Sequence, residues 1–283
     1  MRKVLVFGAQ GMLGHIATGY LEKTGEYQVI PCVRKASAAN EVSADVTDLR
    51  KVREVLEEQR PDIVLNCVGM LIKACADQPA LAILVNSYFP QFLAETGRKL
   101  GYKLVHVSTD CVFSGKKGAY SDTDFRDGDT VYARTKALGE VINEHDLTVR
   151  TSIIGPELKE NGTGLFHWFM HQHGEVKGYR GAFWSGVTTL ELSKFIHAAI
   201  RQNLTGLYQL SMPEKISKYD LLKLFQEIWN KDDVSISPFD GYSCDKSMIG
   251  SSRPGFVYEL PADYRRMLTE LKEYCRENPS SGR

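Results

Sequence analysis

The chain opens on a strand, a glycine-rich turn and a helix, and that succession narrows its fold more than anything after it. Lys3 to Phe7 is a short β-branched and aromatic run bounded by Gly8, the pattern of a strand buried on both faces. Gly8-Ala9-Gln10-Gly11-Met12-Leu13-Gly14 follows, then a helical pattern to about Lys23. Gly8 suits the tight turn, Gly11 lets backbone approach a pyrophosphate, and Gly14 packs helix against strand. The free N–H groups of the helix start then face the phosphates. The spacing, Gly-x-x-Gly-x-x-Gly, is one residue wider at the first gap than the commonest dinucleotide form.

Strand and helix patterns keep alternating. Tyr27 to Val33 reads as a second strand and Val42 to Val46 as a short third. Thr47 or Asp48 can cap a helix from Leu49 to Gln59. Asp62 to Asn66 is a fourth strand, continued by Cys67-Val68-Gly69, small side chains where a cofactor ribose can pass close. Pro79 to about Leu100 reads as a long helix interrupted at Pro90. Lys103 to Val107 is a fifth strand, residues 113 to 131 a loop, Val131 to Asn143 a helix, and Leu147 to Ile153 a sixth strand. The alternation predicts an α/β fold, a doubly wound parallel Rossmann sheet with right-handed crossovers. After Ile154 the pattern loosens. Helices are expected at Leu165 to His173, Thr189 to Gln202, Lys218 to Lys231 and Ala262 to Arg276, with a strand at Gly206 to Leu210 and irregular chain over 234 to 260. The predicted organisation is a dinucleotide-binding core over 1–155 and a smaller C-terminal substrate-binding lobe over 156–278, with some segments returning to the core. The polar tail, 279–283, is expected to fray.

The chemistry concentrates at Tyr132-Ala-Arg-Thr-Lys136. At this spacing on a helix, phenol and ammonium leave one face, a turn apart. An adjacent ammonium favours phenolate and lowers the phenol's pKa from about 10. Such a tyrosine can exchange a proton with a substrate oxygen near neutral pH. Ser108-Thr109-Asp110 ends the fifth strand, at the carboxyl edge where open α/β sheets place ligands. Alternation turns Ser108 to the opposite face and leaves Thr109 to bond the substrate oxygen. Where an NAD site carries an acidic residue at the end of the second strand, this chain has Arg34-Lys35. Two cations there suit a 2′-phosphate, so NADPH is expected over NADH.

Composition removes other classes. Lys+Arg and Asp+Glu number 35 each, so no overall basic field draws nucleic acid or acidic membrane. No apolar run approaches the ~20 residues of a membrane span, and Val4 to Phe7 is too short for a signal peptide's apolar region. The six cysteines are scattered without a Cys-x-x-Cys pair, which suggests free thiols and a cytoplasmic setting. His167, His171 and His173 lack a thiol or carboxylate at ligand spacing, so no metal is expected. Trp168, Phe169, Phe183 and Trp184 read first as core, with Trp184 kept as a candidate substrate contact. Monomer and homodimer are both open.

With those residues in place, the chain resembles the extended short-chain dehydrogenase/reductase family, and within it the dTDP-4-dehydrorhamnose reductase branch of sugar-nucleotide reductases. The matching landmarks are Gly8-x-x-Gly11-x-x-Gly14, Asp45-x-Thr47-Asp48, Pro61-Asp62-x-x-x-Asn66, Val85-Asn86, Ser108-Thr109-Asp110-x-Val112-Phe113, Tyr132-x-x-x-Lys136-x-x-Gly139-Glu140 and Arg150-Thr151. The resemblance implies that Tyr132 is the acid/base, that Lys136 tunes it and holds the nicotinamide ribose, and that Thr109 binds the substrate oxygen. It places Gly8, Gln10, Gly11, Met12 and Leu13 at the pyrophosphate, Asp45 and Val46 near the adenine, and Cys67, Val68 and Gly69 along the ribose. A lobe that binds a nucleotide diphosphate needs cations, for which Arg180 and Arg253 are candidates. The implied function is NADPH-dependent reduction of a keto-sugar nucleotide, of 4-keto-6-deoxy type. The alternatives are an epimerase or dehydratase that retains its cofactor, and a non-catalytic regulatory subunit, the role of one relative that serves methionine adenosyltransferase. Dehydratases usually carry an Asp-Glu pair after the threonine, and this chain has Asp110 followed by Cys111. Relatives commonly have a tyrosine where Cys111 stands.

Overall fold

The computed structural model describes residues 1–278. In chain order its first half comprises β1 (Arg2–Phe7), α1 (Met12–Lys23), β2 (Tyr27–Val33), β3 (Val42–Ser43), α2 (Leu49–Gln59), β4 (Ile63–Asn66), α3 (Ile72–Asp77), α4 (Pro79–Ala82), a π-helical turn (Ile83–Tyr88), α5 (Phe89–Leu100), β5 (Lys103–Thr109), a 3₁₀ turn (Asp110–Val112), α6 (Val131–Gly139) and β6 (Leu147–Thr151). Then come β7 (Ile153–Ile154), α7 (Leu165–Met170), β8 (Gly174–Trp184), β9 (Val187–Thr188), α8 (Thr189–Arg201), β10 (Gly206–Gln209), β11 (Ile216–Ser217), α9 (Lys218–Trp229), β12 (Val234–Asp245) and α10 (Tyr264–Glu277). The tail expected to fray, 279–283, lies outside the described residues.

The central sheet has seven strands in the order β10-β6-β5-β4-β1-β2-β3, all parallel, so the predicted doubly wound sheet is present. Strand alternation divides the core. Val4 and Val6 pack with Leu13, Ala17 and Leu21 of α1 and Phe195, Ile196 and Ala199 of α8. Leu5 and Phe7 pack on the other face with Val52, Val55 and Leu56 of α2 and Phe89 and Leu93 of α5. Both faces of β1 are therefore dry, as its unbroken apolar run requires. No helix among the described residues is long and apolar enough to cross a membrane.

Three expectations are corrected. The long helix is interrupted before Pro90, by the π-helical turn over Ile83–Tyr88, and Pro90 sits just after it in the first turn of α5. The tyrosine helix stops at Gly139 rather than Asn143. A Cβ at 139 would stand 1.9 Å from the Asn86 carbonyl oxygen, and Glu140 leaves the helix in an extended conformation. Residues 234 to 260 are not irregular throughout. β12 runs for 12 residues beside the 11-residue β8, and β11 completes this second sheet. Gly178 and Gly181 in β8, and Pro238 and a register shift between Phe239 and Ser243 in β12, break the alternation that identifies strands in a sequence.

Candidate active site and cofactor cradle

β5 delivers Thr109 to the carboxyl edge of the sheet, and α6 lies across it. The Thr130 hydroxyl caps α6 by accepting from the Ala133 N–H, which fixes where the helix starts and so where Tyr132 and Lys136 stand. The Lys136 ammonium donates to the Val107 carbonyl at 2.8 Å, tying α6 to β5 two residues before Thr109. The Thr109 hydroxyl stands beside the Tyr132 phenol. It also donates to Asp110 Oδ1 at 3.1 Å and accepts from the Cys111 N–H at 3.1 Å. Threonine, phenol and ammonium thus meet at the edge where the sheet's ligands belong. Ser108 faces the other way and donates to Glu140 at 2.8 Å, as strand alternation predicts.

The electrostatics differ from the expectation. Burial raises the Tyr132 phenol well above its ordinary value, Cys111 and Asp110 add to this, and Thr109 opposes it. Lys136 does not offset that burial, because its ammonium is turned to the Val107 carbonyl and is itself pushed down to about 8 by burial, against the pull of Glu140. A half-buried neutral phenol keeps its proton, which is the state a general acid needs.

The glycine-rich turn fits a dinucleotide. Gly8 has φ +78°, and a Cβ on Gly14 would lie 2.0 Å from the Gly8 carbonyl oxygen, so α1 starts as close to β1 as backbone permits. Gly11 caps α1 with no side chain, and no acidic residue occupies the first turn, so the N–H groups remain for an anion. Leu13 is buried in the core and can offer only its backbone, while Met12 reaches Gly164 across the cleft. Cys67 and Val68 pass directly beside Gly8, and Gly69 follows them exposed. Asp45 is exposed and bound by Thr47, with Val46 half-buried beside it. Arg34 is exposed at the end of β2 and forms no ion pair among the described residues. The sequence reading missed Glu41. Its carboxylate accepts from the Ser37 N–H at 2.7 Å and the Ala38 N–H at 3.1 Å and is reached by Gln10 of the glycine-rich turn. An acidic group therefore stands beside that turn although β2 ends in cations; only the fold of the 34–41 loop brings it there.

The three candidate substrate contacts are all engaged. Arg180 forms a two-pronged pair with Asp240 at 2.8 and 2.6 Å on the exposed surface of the β8–β12 sheet. Arg253 donates to Asp122 at 3.0 Å and to the Leu207 carbonyl at 2.6 Å. Each would have to exchange a carboxylate for a diphosphate. Trp184 is buried against Tyr264, ring centres 5.5 Å apart, and faces the core. His167 and His171 stack on each other, and His173 pairs with Asp233 at 2.5 Å.

Two further groups stand at the site. Asn86 in the π-helical turn bonds both the N–H and the carbonyl of Met70, next to Gly69, and also Thr135 of α6, so it locks the loop after β4 to the tyrosine helix. Lys246, just past β12, brings its ammonium to 3.5 Å from Cys111 Sγ. Asn86 carried a sequence signal as a landmark, whereas Lys246 carried none, because it comes from the stretch read as irregular. A separate cavity of about 630 Å3 beside β10, lined in part by Ser185, Ser211 and Lys215, includes none of Thr109, Tyr132 or Lys136.

Several known proteins are similar to this chain. A dTDP-4-dehydrorhamnose reductase of Streptomyces griseus is 37% identical over 138 residues, 48% of this chain and 43% of that protein. A dTDP-4-keto-6-deoxy-D-glucose reductase of Streptomyces niveus is 27% identical over 263 residues, 89% of this chain and 86% of that protein. The chain spans about half the length of most of the curated relatives it matches. The solved dTDP-4-dehydrorhamnose reductase of Bacillus anthracis, in complex with NADP, shares the fold with a TM-score of 0.75 at 24% identity, over 88% of this chain and 90% of that one. The pattern of the RmlD substrate binding domain family matches residues 1–254, which include the cradle, the Thr109–Tyr132–Lys136 cluster and the whole second sheet, and the chain accordingly belongs to that family.

Proposed function

We propose that this protein is an NADPH-dependent reductase of a keto-sugar nucleotide, of 4-keto-6-deoxy type. The observation that carries the reading is the meeting of Thr109, Tyr132 and Lys136 at the carboxyl edge of a Rossmann sheet, in a chain whose relatives are named as keto-sugar reductases. Bound NADPH would supply the hydride. Tyr132 holds a proton for the oxygen that becomes an alkoxide, and Thr109 positions that oxygen. Lys136 donates to the ribose hydroxyls. Gly8, Gln10, Gly11, Met12, Leu13 and Gly14 cradle the pyrophosphate, Cys67 to Gly69 line the ribose, Asp45 and Val46 flank the adenine, and Arg34 takes the 2′-phosphate. Residues 1–155 serve as the cofactor unit and 156–278 as the substrate lobe, with Arg180, Trp184 and Arg253 as candidate contacts. The setting is cytoplasmic.

The test is NADPH oxidation with a panel of keto-sugar nucleotides. Tyr132→Phe should lower turnover by about 10²–10⁴-fold, the usual contribution of a positioned acid, and leave NADPH affinity unchanged. Equal rates in wild type and variant would remove the tyrosine from the mechanism. No turnover with any member of the panel would favour a non-catalytic nucleotide-binding role.

A further inference from the structure

The Lys246 ammonium lies 3.5 Å from Cys111 Sγ. A thiol sulfur is a weak acceptor, and an ammonium carries three donors. Lys246 is half-buried and forms no ion pair among the described residues. The two arginines expected to meet the substrate differ from it. Arg180 is committed to Asp240, and Arg253 to Asp122. A cation drawn partly out of water with donors to spare is costly to keep, and such groups concentrate where a ligand completes them.

Backbone bonds on both sides hold Lys246 in place. The Asp245 N–H donates to the Gly115 carbonyl at 2.8 Å, and the Tyr120 N–H donates to the Ser247 carbonyl at 2.9 Å. The Ser247 hydroxyl accepts from the Ala119 N–H at 2.9 Å. A Cβ on Gly115 would stand 3.0 Å from Lys246 Cγ, so the lysine stem lies along the loop after β5. Its head stands at Cys111, whose N–H donates to the Thr109 hydroxyl at 3.1 Å. The 3₁₀ turn that carries Cys111 packs against α6, the helix of Tyr132. Cys111, Tyr132 and Lys246 each keep part of their surface open to solvent. A molecule held at Thr109 and Tyr132 therefore has this ammonium within reach.

We propose that Lys246 is a substrate contact that takes an anionic oxygen, a phosphate of the nucleotide diphosphate or a carboxylate on the sugar, beside the carbonyl that Thr109 holds. This rests on the reductase reading for the identity of the ligand. The ammonium turns from a weak sulfur acceptor to the anion, and no ion pair has to break first. Arg180 and Arg253 would each have to give up a carboxylate to do the same. A contact made equally in the ground and transition states lowers KM and leaves kcat unchanged. Lys246 thus selects the substrate by its charge, while Tyr132 and Thr109 serve the reacting oxygen.

The test is calorimetry on the full chain saturated with NADPH. The probes are thymidine diphosphate and uridine diphosphate, each alone and as its glucose and glucuronate derivative. Lys246→Met should weaken binding about 10- to 100-fold, the scale of a hydrogen bond to a charged group, and Lys246→Arg should restore most of it. A loss shared by every probe that binds assigns the contact to the diphosphate. A loss confined to the glucuronate derivatives assigns it to a sugar carboxylate. Equal affinities in wild type and variant for every probe overturn the proposal, as does a wild type that binds none of them. A variant that also melts several degrees lower or loses NADPH overturns it too if Lys246→Gln, which keeps a polar head, does the same, and makes Lys246 part of the scaffold. With the best keto-sugar nucleotide, KM should rise in Lys246→Met and kcat should hold. Turnover with KM unmoved sinks the Lys246 contact and leaves the reductase reading. Probe affinity lost in the variant, in a protein that turns over no keto-sugar nucleotide, keeps the contact and sinks the reductase reading.

Discussion

Helix α6 and the strand β6 behind it bury positive charge in opposite ways. In the last turn of α6, Lys136 is 4% exposed, bonds a backbone carbonyl, and is pushed down to about 8 by burial. Behind the end of α6, Arg150 is 1% exposed and completely engaged: Nε and Nη2 reach Glu140 at 2.8 and 2.7 Å, and Nη1 reaches Gln209 at 2.8 Å. Gln209 passes the network on to the carbonyls of Tyr120 and Ile249, and Phe113 lies against the guanidinium. Burial is similar, but the pairing is not. A planar guanidinium with a carboxylate and an amide is a satisfied structural charge. A lysine with one carbonyl has donors left over, and those donors are what a ribose can use. Burial alone does not separate scaffold from site; unfilled hydrogen-bonding capacity does.

The comparison breaks most visibly at Glu140. Burial opposes its ionisation, but hydrogen bonds and charge from Arg150, with Ser108 and Arg126, outweigh that and hold the carboxyl below its ordinary range. Glu140→Gln leaves Arg150 buried against a neutral partner and should cost about 3–5 kcal/mol of stability. That contribution is present above the unfolded value of about 4.3 and is lost as pH falls through the lower folded value. The gap in melting temperature between wild type and variant should therefore be wide at pH 7 and narrow in acid. A gap independent of pH would mean that the cluster works by packing and not by charge.

Lys136→Met should do the reverse. It removes an unsatisfied charge, so stability should hold or rise, while cofactor affinity falls by about 1.5–3 kcal/mol, the scale of hydrogen bonds to a charged group. In the wild type, affinity should decline as pH rises through about 8, where Lys136 loses its proton, and in the variant it should be flat. Titrating NADPH by fluorescence from pH 6 to 9 checks both. A variant that melts several degrees lower, with its affinity intact, would place Lys136 in the scaffold.

The smallest effect sharpens the contrast within one carboxylate. Arg126 also reaches Glu140, at 2.8 Å, but its side chain is 38% exposed. Arg126→Ala should cost no more than about 0.2–1 kcal/mol in a urea melt, because water replaces most of what it gives. A loss as large as that of Glu140→Gln would show that exposure does not grade these pairs.

Much of this was legible in the sequence wherever a local rule governs. The β1 run, the glycine turn and α1 were visible because alternation, turn chemistry and helix start all lie within a dozen residues. A cap for α2 at Thr47 or Asp48 was legible for the same reason, and the fold uses Asp48, whose carboxylate accepts from the Lys51 N–H at 3.1 Å. Tyr132 and Lys136 were visible as a helical pair, but their electrostatics were not. Spacing said that they share a face, and could not say that the ammonium bonds Val107 or that burial governs the phenol.

What tertiary structure alone decided is where distant segments meet. The end of α6 depends on the Asn86 carbonyl, 53 residues upstream in the chain, and no local signal in Val131 to Asn143 carries that contact. β8 and β12 pair in parallel across more than fifty residues, with glycines and a proline hiding both. Glu41 reaches the glycine-rich turn, and Lys246 the Thr109 wall, only through loops whose paths the sheets set. The sequence by itself determined the Rossmann opening and the residue types of the candidate catalytic cluster, because periodicity and turn chemistry act between near neighbours. Burial, charge state and partner choice were decided by the fold, because they depend on everything within a few ångströms in space, and that neighbourhood is drawn from the whole chain.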